Sequence, residues 1–159
     1  MLFRSEESVL MSQWYEQLFD MDDDVYDADF WQQTMTLINA VNEAIEPLRK
    51  EKVIRGSLEA TVYVQARDES RSEFLAKWGD ELRFILIVSE AVVVNDSDRV
   101  PDSVYETPDY RVWIEKNSSA KCVRCWHQRE DVGASEKHPE LCGRCIENVD
   151  GDGEVRRLA

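Results

Sequence analysis

The stretch Cys122-Val123-Arg124-Cys125 is followed, 16 residues later, by Cys142-Gly143-Arg144-Cys145, and the chain has no other cysteine. Two residues between cysteines let one tight turn direct both sulfurs at a single ion, and Gly143 adds backbone freedom to the second turn. Two such turns supply the four tetrahedral ligands that zinc prefers. The spacing therefore predicts one structural Zn²⁺ with no open position for catalysis, held by Cys122, Cys125, Cys142 and Cys145.

Other uses of the four cysteines fit less well. Two disulfide bonds are typical of secreted proteins, but the charged start from Met1 to Ser8 does not resemble a signal peptide. Iron–sulfur clusters use other spacings. His127 or His138 could each replace a sulfur ligand, although four thiolates already complete the site. A module of this size, close to the limit of about 40 residues below which a core alone rarely suffices, is expected to need a metal to be stable.

The charge of the chain is strongly negative and unevenly distributed. The net charge is −14, and residues 1–119 carry 12 basic against 25 acidic side chains, whereas residues 120–159 carry 7 against 8. A net charge of this sign opposes general binding to nucleic acid. Any nucleic-acid contact of the cysteine module must therefore be local. No apolar run is long enough to span a membrane.

The apolar pattern upstream predicts an α+β fold. An apolar stripe from Trp31 to Leu48 indicates a helix, with Asp29 as its N-cap and Pro47 kinking or ending it. Alternation over 58–66 indicates a strand, and 69–78 a short helix ended by Gly79. Further strands are predicted at 82–88, 91–94 and 110–114, giving a small mixed or antiparallel sheet. The acidic residues of 1–29 fit a solvated linker better than a calcium loop, and the cysteine module is expected as a separate unit at the end.

Several motifs resemble the C-terminal region of bacterial isoleucyl-tRNA synthetases. The cysteine pairs resemble that family's C-terminal zinc module, as do Trp126-His127, Asp131-Val132-Gly133 and the ending from Gly151 to Arg157. Residues 41–46, 56–60 and 80–88 resemble the end of its anticodon-binding helical domain and the junction that follows. The resemblance implies three parts: 1–56 as an acidic helical segment, 57–117 as an α+β junction and 118–159 as the four-cysteine zinc module.

The resemblance also implies a function. The family attaches isoleucine to its tRNA with ATP, using His-Ile-Gly-His and Lys-Met-Ser-Lys-Ser motifs that this chain lacks. The chain alone is therefore expected to be inactive and to act as a tRNA-binding fragment. The expected partners are isoleucine tRNA, at its anticodon end, and the rest of the synthetase. A cytoplasmic monomer without a membrane contact is expected.

Two residues match the family's tRNA contact positions, Arg124 and Trp126. An indole stacks on unpaired bases, and a guanidinium binds phosphate or a base edge. Without the resemblance, Trp126 would be expected to cap the core of the module and Arg124 to be solvated. Weaker candidates for phosphate contact are five other cations of the module: Arg129, Lys137, Arg144, Arg156 and Arg157.

Two other functions stay open at this stage. Formamidopyrimidine-DNA glycosylases end in a similar four-cysteine module, but the proline-led catalytic N-terminus of that family is not seen here. A free-standing interaction domain that uses zinc only for stability is the third possibility. Binding to isoleucine tRNA, to damaged duplex DNA or to neither distinguishes the three.

Overall fold

The structure is a computed structural model that describes residues 26–95, 100–101 and 103–158. Most of the acidic cluster before residue 26, predicted as a linker, lies outside the described residues. The helices are α1 (Ala28–Lys50), α2 (Glu69–Trp78), α3 (Leu82–Ile85) and α4 (Gly143–Asp150), and the strands are β1 (Ala60–Ala66), β2 (Glu90–Val94), β3 (Tyr105–Glu106) and β4 (Tyr110–Lys116). The α+β class predicted from the sequence is confirmed.

Helix α1 begins two residues before the position that its apolar stripe predicts. Asp27, and not Asp29, is the N-cap, because its carboxylate accepts a hydrogen bond from the Phe30 N–H at 2.8 Å. Asp29 instead lies in the first turn, where a negative charge suits the helix dipole. The helix passes through Pro47 and ends at Lys50, so Pro47 does not end it.

The described strands form one mixed four-stranded sheet in the order β2-β1-β4-β3. Strand β1 is central: it runs parallel to β2, with Val62 opposite Ala91, and antiparallel to β4, with Val62 also opposite Ile114. A parallel pair needs a long crossover, which α2 and α3 provide here. The predicted inward residues of β1, Ala60, Val62 and Val64, are all fully buried, but Thr61 and Gln65 on the other face are buried as well, so the strand is not exposed on one face as alternation predicts.

Residues 82–88 do not form the buried strand that their sequence predicts. Leu82–Ile85 form helix α3, and the chain then turns through Ile87, which has φ +54° and is 62% exposed. Leu82 and Leu86 are both buried and lie four residues apart, on one face of a helical turn. A short apolar run does not by itself distinguish a strand from a buried helical turn.

One hydrophobic core lies between the helices and the sheet. Helix α2 contributes Phe74, Leu75 and Trp78, and Phe30 of α1 stacks on Trp78 with ring centroids 5.2 Å apart. A second, smaller core consists of the buried cysteines Cys122, Cys142 and Cys145. The fold therefore has two packing centres, and the functional candidates lie around the second.

Candidate metal centre

The four cysteines converge, as their spacing predicts. Their sulfur atoms all lie within 4.8 Å of one another, and the sulfurs of Cys125 and Cys142 are 3.7 Å apart. Four thiolates at about 2.3 Å from a tetrahedral zinc ion are separated by about 3.8 Å. A disulfide would need about 2.05 Å, and all four cysteines are free. The sulfurs thus form a cluster able to hold one metal ion, which fits a single structural Zn²⁺.

Local polarity around the sulfurs also fits a cation. Burial alone would raise the pKa of Cys122, but backbone N–H groups, among them the Cys142 N–H at 3.4 Å from the Cys122 sulfur, lower it to about 6. Burial, reinforced by the neighbouring Cys125 sulfur, raises the pKa of Cys142 to about 12. Thiolates crowded this closely repel one another, so a cation is needed for all four to be charged.

Neither histidine belongs to the cluster. Among the described residues, the metal-capable group contains the four cysteines and no other residue type. The His138 Nε2 lies 2.8 Å from an Asp150 carboxylate oxygen. His127 packs against Phe84, with ring centroids 6.0 Å apart, where burial and nearby arginines lower its pKa to about 4. Four sulfurs therefore suffice, as expected, and His127 is neutral at pH 7.

The first cysteine turn presents an exposed aromatic side chain. The Trp126 N–H donates to the Cys122 carbonyl at 2.9 Å, and the Cys122 N–H donates to the His127 carbonyl at 2.9 Å, which closes the turn on both sides. Trp126 has φ +67°, a left-handed conformation that is uncommon for a non-glycine residue. Its side chain is 60% exposed, so it does not cap the small core. We name residues 121–127 the knuckle.

One cation lies beside Trp126, and a second contacts the cysteine cluster. The Lys121 ammonium is 5.4 Å from the centre of the indole ring. Arg124 is exposed, and its Nη1 donates to the Cys145 sulfur at 3.6 Å. Such a contact neutralises part of the charge on a thiolate and fixes the direction of the side chain. Lys121 was missed by the sequence analysis, since a lone lysine before the first cysteine carries no pattern.

The second cysteine pair leads into helix α4, which the sequence analysis did not predict. Gly143 is its first residue and has ordinary backbone angles, so the expected need for turn flexibility is wrong. The Gly143 N–H donates to an Asp131 carboxylate oxygen at 2.9 Å, and a Cβ on Gly143 would come within 2.9 Å of the same oxygen. Glycine is favoured here because a carboxylate approaches the helix N-terminus closely.

The cysteine module packs against α3 and does not stand apart. The Gln128 N–H donates to the Ser89 hydroxyl at 2.6 Å. The Phe84 ring lies under the guanidinium groups of Arg156, at 4.1 Å, and Arg144, at 5.1 Å. Phe84 thus belongs to a contact that joins the two packing centres. The sequence does not indicate this role, because Phe84 lies within an apolar run.

The weaker cation candidates mostly have protein partners. Arg144 and Arg156 both bind Glu154, at 3.1 and 2.9 Å. Lys137 binds Asp150 at 2.7 Å, and Arg129 lies 3.9 Å from Asp131. Arg157 is exposed, and its backbone N–H donates to a Glu81 carboxylate oxygen at 2.6 Å. The structure therefore leaves Arg124 and Trp126 exposed on the knuckle and uses Arg144 and Arg156 in packing.

Fold and site together define an α+β protein with a four-cysteine zinc finger, and comparisons with known proteins agree. Residues 120–148 match the family described as "Zinc finger found in FPG and IleRS". The chain is 45% identical to the isoleucine–tRNA ligase of Alkalilimnicola ehrlichii, over 96% of this chain and 17% of the relative. It is 44% identical to those of Shewanella sediminis, over 97% and 16%, and Pseudomonas aeruginosa, over 96% and 16%.

The chain is therefore homologous to one segment of isoleucine–tRNA ligase, which confirms the resemblance inferred from its motifs. It spans about one sixth of the length of these relatives. None of the helices in the described part of the chain combines the length and the apolar character needed to cross a bilayer.

Proposed function

We propose that this chain is a tRNA-binding segment of an isoleucine–tRNA ligase and that its knuckle contacts the anticodon end of isoleucine tRNA. The observation that carries the proposal is the Trp126 side chain, 60% exposed and next to a cysteine of the cluster. Aromatic side chains held at a surface stack on the unpaired bases of RNA loops. The homology to isoleucine–tRNA ligases supplies the identity of the RNA.

The metal has a positioning role in this proposal. Cys122, Cys125, Cys142 and Cys145 bind one Zn²⁺ that fixes the two turns in place. Because the Trp126 N–H is bonded within the Cys122 turn, fixing the sulfurs also fixes the indole. Arg124, bonded to the Cys145 sulfur, directs its remaining N–H groups to phosphate or a base edge. Arg129, Lys137 and Arg157 contribute weaker contacts with phosphate.

The complete enzyme, in this proposal, attaches isoleucine to its tRNA with ATP in the cytoplasm. The catalytic motifs lie outside this sequence, so the chain contributes binding and no bond making. Its partners are the tRNA and the rest of the ligase. Three parts, residues 1–56, 57–117 and 118–159, correspond to the end of the helical anticodon-binding domain, a junction and the zinc module.

The test is binding to an isoleucine tRNA transcript by the zinc-loaded chain, compared with a transcript whose anticodon loop is changed. Trp126→Ala should weaken binding by about 1–3 kcal/mol, and Trp126→Phe should restore most of it, because a phenyl ring also stacks. Alanine at φ +67° keeps the same backbone cost, so folding should be unchanged. Val123→Ala is the matched control: Val123 is 55% exposed on the same knuckle but offers no ring.

A DNA-repair finger is the second candidate, since the matched finger family is found in both FPG and IleRS. The ligase homology over 96% of the chain favours the first candidate. Tighter binding to duplex DNA with a damaged base than to tRNA would reverse that preference. Equal binding to both tRNA transcripts would remove the anticodon from the proposal.

A further inference from the structure

A second cationic surface lies far from the cysteines in sequence, where α1 ends. Four exposed basic side chains line an open cavity of about 520 Å³, together with Glu46 and Ile54. We name these four the basic end: Arg49, Lys50, Lys52 and Arg55. Ile54 is 1% exposed and forms an apolar floor. Such a concentration of positive charge is unexpected in a chain with a net charge of −14.

The charges of the basic end are mostly uncompensated. Arg49 binds Glu46 at 2.7 Å. Among the residues that the structure describes, Lys50, Lys52 and Arg55 form no ion pair. The nearby Glu51 lines a different cavity, together with Glu43. Three cations without an ion pair therefore face solvent around one cavity, and Glu46, which is paired with Arg49, is the acidic side chain that lines it with them.

The conformation of Lys52 adds a second observation. Lys52 has φ +60°, and the chain closes the helix around it: the Lys52 N–H donates to the Arg49 carbonyl and the Val53 N–H to the Leu48 carbonyl. This is the helix-ending position where glycine is usual, because a Cβ is strained in the left-handed region. A lysine here lowers stability, and strain retained at one residue points to a functional reason.

The basic end and the knuckle are connected through one end of the sheet. The Arg55 N–H donates to the Glu59 carboxylate at 3.0 Å, and the Glu59 carbonyl accepts from the Asn117 N–H at 2.8 Å. Asn117 then accepts from the Ser119 N–H, two residues before Lys121. A short series of hydrogen bonds thus links the basic end with Ser119, two residues before the knuckle.

We propose that the basic end binds the phosphate backbone of the same tRNA, as a second contact that is independent of base sequence. Lys50, Lys52 and Arg55 would each approach a phosphate. This inference rests on the proposed function, because it takes the RNA from it. The knuckle would then supply base recognition, and the basic end would supply salt-dependent affinity.

Cations also stabilise helix C-termini through the helix dipole, and Lys52→Gly separates that role from RNA binding. Removing the Cβ relieves the strain, so the melting temperature should rise. Removing the charge should weaken binding of the isoleucine tRNA transcript by about fivefold at 0.15 M salt and reduce the salt slope by about 1. A purely structural role for Lys52 predicts no change in affinity.

Matched variants complete the test. Lys52→Arg keeps the charge and the strain, so it should bind like the parent chain. Lys50→Gln combined with Lys52→Gly should weaken binding by about 25-fold. Lys77→Gln removes an exposed lysine from α2, on another surface, and should leave affinity unchanged. Anticodon-loop changes should weaken binding of Lys52→Gly by the same factor as they weaken binding of the parent.

The outcomes distinguish the two proposals. Unchanged affinity and salt slope in the double variant, with Trp126→Ala still weakened, would overturn the basic end alone. If Lys77→Gln weakens binding as much as Lys52→Gly does, the proposal for the basic end is also overturned, because net charge and not position would then cause the loss. Absence of tRNA binding by the parent chain would overturn the proposed function and this inference together.

Discussion

The hydroxyl of Ser89 accepts a hydrogen bond from the Gln128 N–H at 2.6 Å and lies 2.5 Å from the Leu58 carbonyl, to which it donates. Ser89 is fully buried. One side chain therefore satisfies a carbonyl at the start of the sheet and an N–H of the cysteine module. Because both partners are backbone groups, the contact fixes how the zinc finger meets the sheet.

Ser89→Ala is predicted to loosen the zinc finger from the sheet. It leaves a partly buried carbonyl and a partly buried N–H without their side-chain partner, which should cost about 1–3 kcal/mol. Urea unfolding should give that loss, and amide exchange of Gln128 should accelerate. Ser72→Ala is the control, because Ser72 is exposed on α2. Equal stability of both variants would mean that the two hydrogen bonds contribute nothing.

Removal of the metal is predicted to unfold the zinc finger while the sheet stays folded. Structural zinc supplies about 10–16 kcal/mol in small fingers, whereas a whole domain is stable by about 5–15 kcal/mol. The second core consists chiefly of the cysteines, so little else holds it. Chelation should release one zinc per chain and collapse the amide signals of residues 120–150, with those of β1 and β4 retained.

Cys142→Ser should reproduce the effect of chelation. Since the ligands bind zinc as thiolates, lowering the pH should also release the metal as protons compete for sulfur. A chain that retains its finger signals without zinc, or that contains two disulfides, would contradict the structural role of the metal.

Phe84→Leu is predicted to weaken packing of the finger more than the small change in volume suggests. The Phe84 ring faces the guanidinium groups of Arg156 and Arg144, and cation–π contacts contribute about 0.5–2 kcal/mol each. Leucine keeps the apolar contact but has no ring. Double-mutant cycles with Arg156→Gln should give a coupling energy in that range. A coupling near zero would show that Phe84 acts only through its volume.

The cysteine cluster could be predicted from sequence because its ligands are few and their spacing is set by metal geometry. The sheet residues Val62, Val64 and Val112 were likewise predictable from alternation, since one face of each strand is buried. By contrast, the packing of Phe84 against Arg156 joins residues 72 positions apart in sequence, and no local pattern reports such a contact.

The segment from Leu82 to Val88 shows where local patterns fail. Its apolar run fits a strand and a helical turn equally well, and tertiary packing decides between them. Burial of Leu82, Leu86 and Val88 requires a turn that leaves Ile87 exposed. The basic residues at the end of α1 are visible in the sequence, but the left-handed conformation of Lys52 depends on how the chain leaves the helix.

Tyr110→Phe is predicted to protect the fold at alkaline pH. The Tyr110 side chain is 1% exposed and its hydroxyl is one of the buried polar atoms without a hydrogen-bond partner in the described structure. Burial, the main cause, raises the pKa of Tyr110 to about 12. The folded pKa lies above the unfolded value of about 10. As the pH rises, Tyr110 therefore loses its proton in the unfolded chain first, and this deprotonation favours unfolding.

Stability linked to Tyr110 should therefore be intact below about pH 10 and fall as the pH rises toward 12, by up to about 1.4 kcal/mol per pH unit. Tyr110→Phe removes the titrating group together with an unpaired hydroxyl, so at neutral pH it should change stability by less than about 1 kcal/mol. Urea unfolding of both proteins between about pH 7 and 11 should give curves that separate only above about pH 10. Lysines titrate in the same range but do so equally in both chains. If both proteins lose the same unfolding free energy up to the highest pH, groups other than Tyr110 cause the loss of stability at alkaline pH.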